Sequence, residues 1–235
     1  VRQLHEWNPH VFIDHHGNPP VFFFPPVALP MNANFPESTA RWERLLGRAI
    51  AAEFDRQGWS YMNREVFDLF FPGYFDSYPT LNGSTGMTFE TDGGGSQGLR
   101  LERPDGSFST LRGAIAKHFA GAYAVLKATA ENKDKRLEDF YQFRKSGIEE
   151  GDRGPVKQYV LVPGRNPELA AALVEVLLGH RVEVYRASAA FRSARAHGHI
   201  TAKVESKEFA AGSYVVPLNQ PQKRLIQALL EPEAR

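Results

Sequence analysis

The sequence predicts an α/β protein built from two parts. Short runs rich in apolar, β-branched and aromatic residues have the length of buried strands, as at residues 9–13. Longer segments between them carry apolar residues at helical spacing, as at residues 38–57. Near residues 147–155 the composition shifts to Gly, Glu, Asp and Arg, which is typical of a domain boundary. We therefore expect one domain over residues 1–147 and a smaller α/β region over residues 148–235.

Composition narrows the class of protein. The 235 residues are 42% hydrophobic and 12% aromatic, which is enough to bury a substantial core. The net charge is only +1 and the Lys and Arg residues are scattered, so we expect no nucleic acid partner. The apolar run at residues 20–30 is interrupted by prolines and too short to span a bilayer, so we expect no membrane anchor. With no Cys, the available metal ligands are His, Asp and Glu.

The first part begins with a predicted strand and a long helix. Residues 9–13 form an apolar run that should deliver residues 14–16 to the loop at the end of a buried strand. A helix follows, with Ser38 as a possible N-cap and Gly58 as its terminator. The apolar residues of this helix recur at helical spacing: Trp42, Leu45, Leu46, Ala49 and Ile50.

An aromatic, glycine-containing segment then runs over residues 68–90 and ends in the predicted strand 87–90. The connection is longer than most, which favours a binding role. A helix should begin near Ser109 or Thr110, and another should lie around residues 137–144. The first of these helices has large apolar residues on one face: Leu111, Ile115, Phe119, Ala122 and Leu126.

The second part predicts a βαβ-like unit. Its first strand covers residues 158–162, and its helix starts at residues 166–167 with an Asn cap and a Pro in the first turn. The second strand is predicted at residues 181–185. A later strand at residues 213–216 and a helix around residues 222–230 complete the region.

Asp14 and His16 are the first candidates for chemistry. Side chains alternate along a strand, so an extended chain at residues 11–16 puts Asp14 and His16 on one face and His15 on the other. Neutral imidazole is a zinc ligand, and a neighbouring carboxylate can orient the ring. The same pattern also fits a hydrogen-bonded structural pair, and the pattern alone does not separate the two.

Glu90 is the second candidate. It ends a predicted buried strand, where a carboxylate is costly to hold without a partner or a task. A general base fits this position, since partial burial and a nearby cation can tune its pKa. The alternative is a Glu that emerges into solvent where the strand ends at Thr91.

Four stretches carry a family resemblance: VFIDHHG at residues 11–17, FFFPP at 22–26, FPGYFDSY at 71–78 and GSTGMTFE at 83–90. In order and spacing they resemble the carboxypeptidase A-type zinc metallopeptidases, specifically the C-terminal half of the catalytic domain in larger bacterial members. The resemblance covers about the first 145 residues. It implies the C-terminal part of a mixed-sheet α/β/α domain, and the later residues resemble the accessory α/β region that follows that domain.

The resemblance implies roles for individual residues. His16 matches the family's third zinc ligand, and Glu90 matches its general base. A tyrosine that closes over the substrate falls best on Tyr74, with Tyr78 as the rival. The segment around Asp76 resembles the region that shapes the pocket for the C-terminal side chain of the substrate.

The implied function is a metallocarboxypeptidase that removes C-terminal residues from peptides by zinc-activated water, with Zn²⁺ as cofactor. The family's remaining zinc ligands, in a His-x-x-Glu motif, and its substrate-binding arginines are not found upstream of Asp14. The one His-x-x-Glu, at residues 180–183, follows the other motifs on a predicted strand, and we interpret it as unrelated. We therefore expect this chain alone to be inactive and to contact a missing N-terminal part of a parent protein. The resemblance also points to a secreted or periplasmic location.

A second hypothesis is a catalytically inactive, peptidase-like module. In that case the aromatic residues at positions 70–78 would bind peptides or proteins, or, as a third hypothesis, carbohydrate. His-x-x-Glu in a parent protein would favour the enzyme.

Overall fold

The computed structural model describes residues 1–17, 19–91, 93, 99–103, 105–199, 201 and 203–232. They form two compact units, residues 9–141 and residues 1–8 with 142–235, and both combine helices with β-sheets. The predicted α/β class is therefore confirmed. The helices are α1 (Arg2–Trp7), α2 (Glu37–Gln57), α3 (Ser77–Thr80), α4 (Leu111–Glu131), α5 (Lys133–Arg153), α6 (Pro167–Gly179) and α7 (Lys223–Leu230). The strands are β1 (Val11–His16), β2 (Phe22–Phe23), β3 (Tyr61–Met62), β4 (Thr85–Glu90), β5 (Arg100–Glu102), β6 (Phe108–Thr110), β7 (Gln158–Leu161), β8 (Tyr185–Arg186), β9 (Phe191–His197), β10 (Val204–Phe209) and β11 (Tyr214–Pro217).

A mixed four-stranded sheet organises the unit of residues 9–141, in the order β1-β4-β2-β3. Strands β1 and β4 are parallel and paired along their whole length, whereas β2 pairs antiparallel with β4 and parallel with β3. Every residue of β4 is buried, which is why its sequence lacks an alternation of apolar and polar residues.

One face of this sheet packs against α2 and α4. The odd-numbered residues of β1 and β4 point to this side, where Met87 and Phe89 join the main hydrophobic core. Helix α2 begins one residue earlier than the predicted cap, with Pro36 at its N-cap, and ends at Gly58 in the left-handed region. The buried side chains of this core are those of Phe22, Phe24, Trp42, Leu46, Ile50, Phe54, Met87, Phe89, Val125 and Ala128.

Helix α4 starts at the predicted cap, since the Thr110 side chain accepts a hydrogen bond from the Gly113 amide. Its closest approach to the sheet is at Gly121, where an added Cβ would lie 3.2 Å from the Phe89 ring. The face with the larger apolar side chains is solvent-exposed, including Phe119 at 72%. The buried face carries a different set of residues: Ala114, Lys117, Gly121, Val125 and Ala128.

In the other unit, β7 and β8 flank β11 in a three-stranded antiparallel sheet, with α6 between β7 and β8 in sequence. The strand predicted at residues 181–185 is wrong for most of its length, since β8 covers only Tyr185–Arg186 and Arg181 adopts a left-handed conformation after α6. Strands β9 and β10 form a hairpin that the sequence did not predict, since most of its residues are polar and exposed. The core of this sheet is formed by Leu177, Val182, Val216, Leu218 and Ile226.

The predicted linker at residues 147–155 is wrong for most of its length, since α5 is helical through Arg153. Its glycines serve packing: a Cβ at Gly151 would lie 2.1 Å from the carbonyl oxygen of Leu218, so only Gly permits this approach. The division between the two compact units falls earlier, after Tyr141 within α5, and α1 belongs with the later residues. No helix in the described part of the chain is long and apolar enough to cross a membrane.

Candidate functional site

The parallel pairing of β1 with β4 brings His16 and Glu90 together. The two residues are Cα partners in the register, so their side chains leave the sheet on the same face at its C-terminal edge. The Nδ1 atom of His16 lies 3.3 Å from Oε1 of Glu90. The two residues that the sequence singled out are therefore direct neighbours.

Asp14 lies on the same face of β1, two residues before His16. Its Oδ2 atom lies 3.2 Å from Nε2 of His16, so each imidazole nitrogen faces a carboxylate. A neutral imidazole has a single N–H and can donate to only one of the two carboxylates at a time. The predicted alternation of Asp14, His15 and His16 is confirmed by the register.

The three side chains differ in their exposure to solvent. The His16 side chain is 56% exposed, whereas those of Asp14 and Glu90 are 16% and 5% exposed. The imidazole is therefore accessible to a ligand from solution, and the two less exposed carboxylates contact its ring nitrogens. Glu90 does not emerge into solvent, which removes the alternative that its position at the strand end left open.

The aromatic segment packs on the same face of the sheet. The Phe75 ring lies 6.2 Å from that of Phe12, which shares its face of β1 with Asp14 and His16. A Cβ at Gly86 would lie 1.9 Å from the Asp76 carbonyl oxygen, so the segment crosses β4 in direct backbone contact. The residues before α3 therefore lie on the same face of the sheet as His16 and Glu90, over the earlier positions Phe12 and Gly86.

Asp76 is buried under this segment and does not face solvent. Its carboxylate accepts hydrogen bonds from the Thr88 hydroxyl at 2.7 Å and from the Ser77 amide at 2.7 Å. Burial raises its pKa, and these hydrogen bonds oppose the rise. In the structure Asp76 fixes the segment to β4 and caps α3.

Tyr74 is the more exposed of the two tyrosine candidates. Its side chain is 48% exposed and its ring meets that of Phe71 edge-on at 5.3 Å. Tyr78 is half-buried, and its amide donates to the Tyr74 carbonyl. Of the two, Tyr74 has the freedom to turn toward a ligand.

A second pair of histidines lies on the opposite face of β1 and was not predicted as a pair. Nδ1 of His15 is 2.9 Å from Nδ1 of His118 on α4. Burial lowers the pKa of both, that of His118 to about 4, so neither ring is charged at neutral pH. The residues are 103 positions apart, and no local pattern connects them.

The chemistry of the donor set around His16 fits zinc, since it offers an imidazole and two carboxylates. Within the described ranges, however, no group of three or more His, Asp or Glu side chains is arranged to hold a metal ion. His16 can therefore supply one ligand, with Asp14 or Glu90 beside it, and a closed site requires further ligands.

No protein-family model, curated protein or solved structure matches this chain. The family resemblance therefore stands on its motifs alone. His16 and Glu90, which lie in these motifs, are neighbours in the structure. The enzymatic activity that the resemblance implies is a proposal.

Proposed function

We propose that His16 and Glu90 belong to the active site of a zinc metallocarboxypeptidase. The observation that carries the proposal is the 3.3 Å approach of His16 Nδ1 to Glu90 Oε1 across the parallel β1–β4 pair. It joins an accessible metal-ligand type to a buried carboxylate at a strand end, which is the combination that hydrolysis by activated water needs. The motif resemblance supports the same two residues.

Glu90 is the proposed general base. A carboxylate that is 5% exposed is shielded from water, which strengthens its electrostatic interaction with a nearby cation. It accepts a proton from the attacking water and returns it to the amine of the departing residue. Zinc, when bound, would polarise the scissile carbonyl and lower the pKa of water.

His16 is the proposed zinc ligand and Asp14 its positioning residue. Metal-ligating histidines usually donate their second ring nitrogen to a carboxylate or a backbone carbonyl, and the Asp14 carboxylate lies 3.2 Å from Nε2. Nδ1, which faces Glu90, is then the nitrogen that turns to the metal. The remaining ligands are proposed to come from outside these 235 residues.

The segment before α3 is the proposed substrate-side wall. Tyr74 and Phe75 are exposed there, and Asp76 holds them by its buried bonds to Thr88 and Ser77. A peptide that extends from His16 along β1 toward Phe12 would reach these aromatic side chains. They would contact the C-terminal residue, and Asp76 would act through its hold on the segment.

The test is the reaction pattern of the full-length protein on synthetic peptides. A peptide with a free C-terminal carboxylate should lose single residues from that end, as followed by mass spectrometry. The same peptide with an amidated C-terminus should stay intact. Cleavage at internal bonds, or equal cleavage of both peptides, would contradict the assignment to a carboxypeptidase.

A second candidate is a peptide-binding module without turnover. The observation that favours it is the exposure of three neighbouring aromatic side chains: Phe71 at 56%, Tyr74 at 48% and Phe75 at 66%. Exposed aromatic clusters are frequent at binding surfaces. This candidate predicts that peptides bind without release of amino acids, and that Phe75→Ala weakens binding while Phe108→Ala, at an exposed aromatic residue of β6, does not. Equal binding by both variants would remove it.

A further inference from the structure

The contact between His15 and His118 joins two elements that are distant in sequence. His15 lies on β1, on the face opposite His16, and His118 lies on α4. Their Nδ1 atoms are 2.9 Å apart, and their ring planes meet at 67° with centroids 4.9 Å apart. The Nδ1 atom of each ring therefore faces that of the other.

Aromatic neighbours hold both rings in this orientation. The Phe89 ring meets that of His15 edge-on at 5.5 Å, and the Phe22 ring meets that of His118 edge-on at 4.9 Å. Both phenylalanines are fully buried members of the core. The two imidazoles are thus preorganised by packing, while His15 keeps its outer side in solvent.

The His118 ring also interacts with the backbone of His16, which opposes the lowering of the His118 pKa by burial. A neutral imidazole carries its proton on one ring nitrogen and a lone pair on the other. With the proton on Nε2, the Nδ1 atom that faces His15 carries the lone pair, which is the form that binds a metal ion.

We propose that His15 and His118 form a second metal site, in which their two Nδ1 atoms bind one divalent transition-metal ion such as Zn²⁺. Neutral imidazole suits this class of ion better than it suits Mg²⁺ or Ca²⁺. With metal–nitrogen bonds of about 2.0–2.1 Å, two tetrahedral ligands stand about 3.4 Å apart. The rings therefore need to separate by only about 0.5 Å from their present contact. On binding, His15 holds its proton on Nε2, and water fills the open positions.

The site is distinct from the proposed active site. His15 and His16 are successive residues of β1, and their side chains leave the sheet on opposite faces. An ion at His15 and His118 would tie the end of β1, which carries His16, to α4. It would bind whether or not the proposal about peptide hydrolysis holds.

The test removes the competing site first. The His118 contact is to the His16 backbone, so His16→Gln leaves it in place while removing the imidazole of the other site. Metal-free His16→Gln protein is titrated calorimetrically with ZnCl₂, and His15→Gln and His118→Gln are then each added to that background. Each added substitution should weaken zinc binding by more than about tenfold. A loss of this size follows even when only a hydrogen-bond partner of a metal ligand is removed. His197→Gln, at an exposed histidine of β9, should leave it unchanged.

Unchanged zinc affinity in both added variants would overturn the proposal. A second measurement on the wild-type protein covers the case in which a variant does not fold. Long-range ¹H–¹⁵N spectra of the imidazole rings should show the Nδ1 signals of His15 and His118 moving together as Zn²⁺ is added. Zinc-dependent shifts confined to the other histidines would equally overturn it.

Discussion

His16 and Glu90 are 74 positions apart in the sequence, yet the imidazole of one lies 3.3 Å from the carboxylate of the other. The parallel register of β1 and β4 makes them partners, and Asp14 contacts the second imidazole nitrogen at 3.2 Å. A single histidine is thus held between two carboxylates at one edge of the sheet. The predictions below test how this arrangement is held and what it does.

Asp14→Asn should weaken zinc binding at His16 without unfolding the protein. Asparagine keeps the size of the side chain but lacks the charge that orients the imidazole and favours a neighbouring cation. Loss of such a partner typically lowers metal affinity by about 10–100-fold. The affinity is measured in the full-length protein by competition with a coloured chelator. Asp105→Asn, in an exposed turn, is the matched control, and equal zinc affinity in both variants would exclude Asp14 from this role.

Gly86→Ala should destabilise the fold at the site. The new Cβ would lie 1.9 Å from the carbonyl oxygen of Asp76 and 2.8 Å from the Thr80 hydroxyl, which leaves it no room. Forced overpacking of this kind costs about 1–3 kcal/mol of unfolding free energy. Urea denaturation measures the loss. Gly164→Ala, where no atom lies within 4 Å of the added Cβ, is the control. Equal stability of the two variants would show that the segment before α3 moves away to accommodate the added Cβ.

Arg136→Met should destabilise the protein far more than Lys135→Met. The buried Arg136 guanidinium donates to the Thr85 hydroxyl at 2.7 Å and to the Gly83 carbonyl at 3.0 Å, at the start of β4. Loss of hydrogen bonds to a charged group costs about 3 kcal/mol, and the acceptors would stay buried. Lys135 is 58% exposed in its ion pair with Asp139, so its loss should cost less than about 1 kcal/mol. Similar losses in unfolding free energy would contradict the structural role of Arg136.

Glu43→Gln should change how stability depends on pH. Burial is the main cause that raises the pKa of Glu43 to about 7 from 4.5. The folded state therefore keeps a proton that the unfolded state releases, so this group's contribution is complete below pH 4.5 and is lost as the pH rises to about 7.

The variant cannot ionise at this position, so its unfolding free energy should fall less between pH 4.5 and 7. Between pH 4.5 and 7, the wild type should lose about 3 kcal/mol more unfolding free energy than the variant. Unfolding curves in urea at several pH values measure it, with Glu131→Gln at an exposed position of α4 as the control. Parallel pH profiles for wild type and Glu43→Gln would show that Glu43 ionises normally in the folded state.

Local patterns predicted the parts of the fold that local forces determine. The end of α2 at Gly58 and the start of α4 at Thr110 follow from capping chemistry, and the shared face of Asp14 and His16 follows from strand geometry. These features need only neighbouring residues. The neighbourhood of His16 and Glu90 came from the family resemblance, because spacing along the chain does not specify strand pairing.

The features that were missed depend on contacts between distant segments. The buried bond from Thr88 to Asp76 and the pairing of His15 with His118 have no signature in the residues beside them. Helix α4 was misleading for a different reason. Its large apolar residues share one face, but that face is exposed, and the close approach at Gly121 to Phe89 turns a different face to the core.

The most direct test of the central claim is the hydrolysis of a peptide with a free C-terminus by the full-length protein and its Glu90→Gln variant. A carboxamide cannot accept the proton from water, and loss of a general base typically lowers the rate by about 10²–10⁴-fold. The variant should retain bound zinc and a wild-type circular dichroism spectrum, and Glu102→Gln at an exposed position of β5 should retain activity. An unchanged kcat in Glu90→Gln, or a wild-type protein that releases no C-terminal residue, would contradict the account.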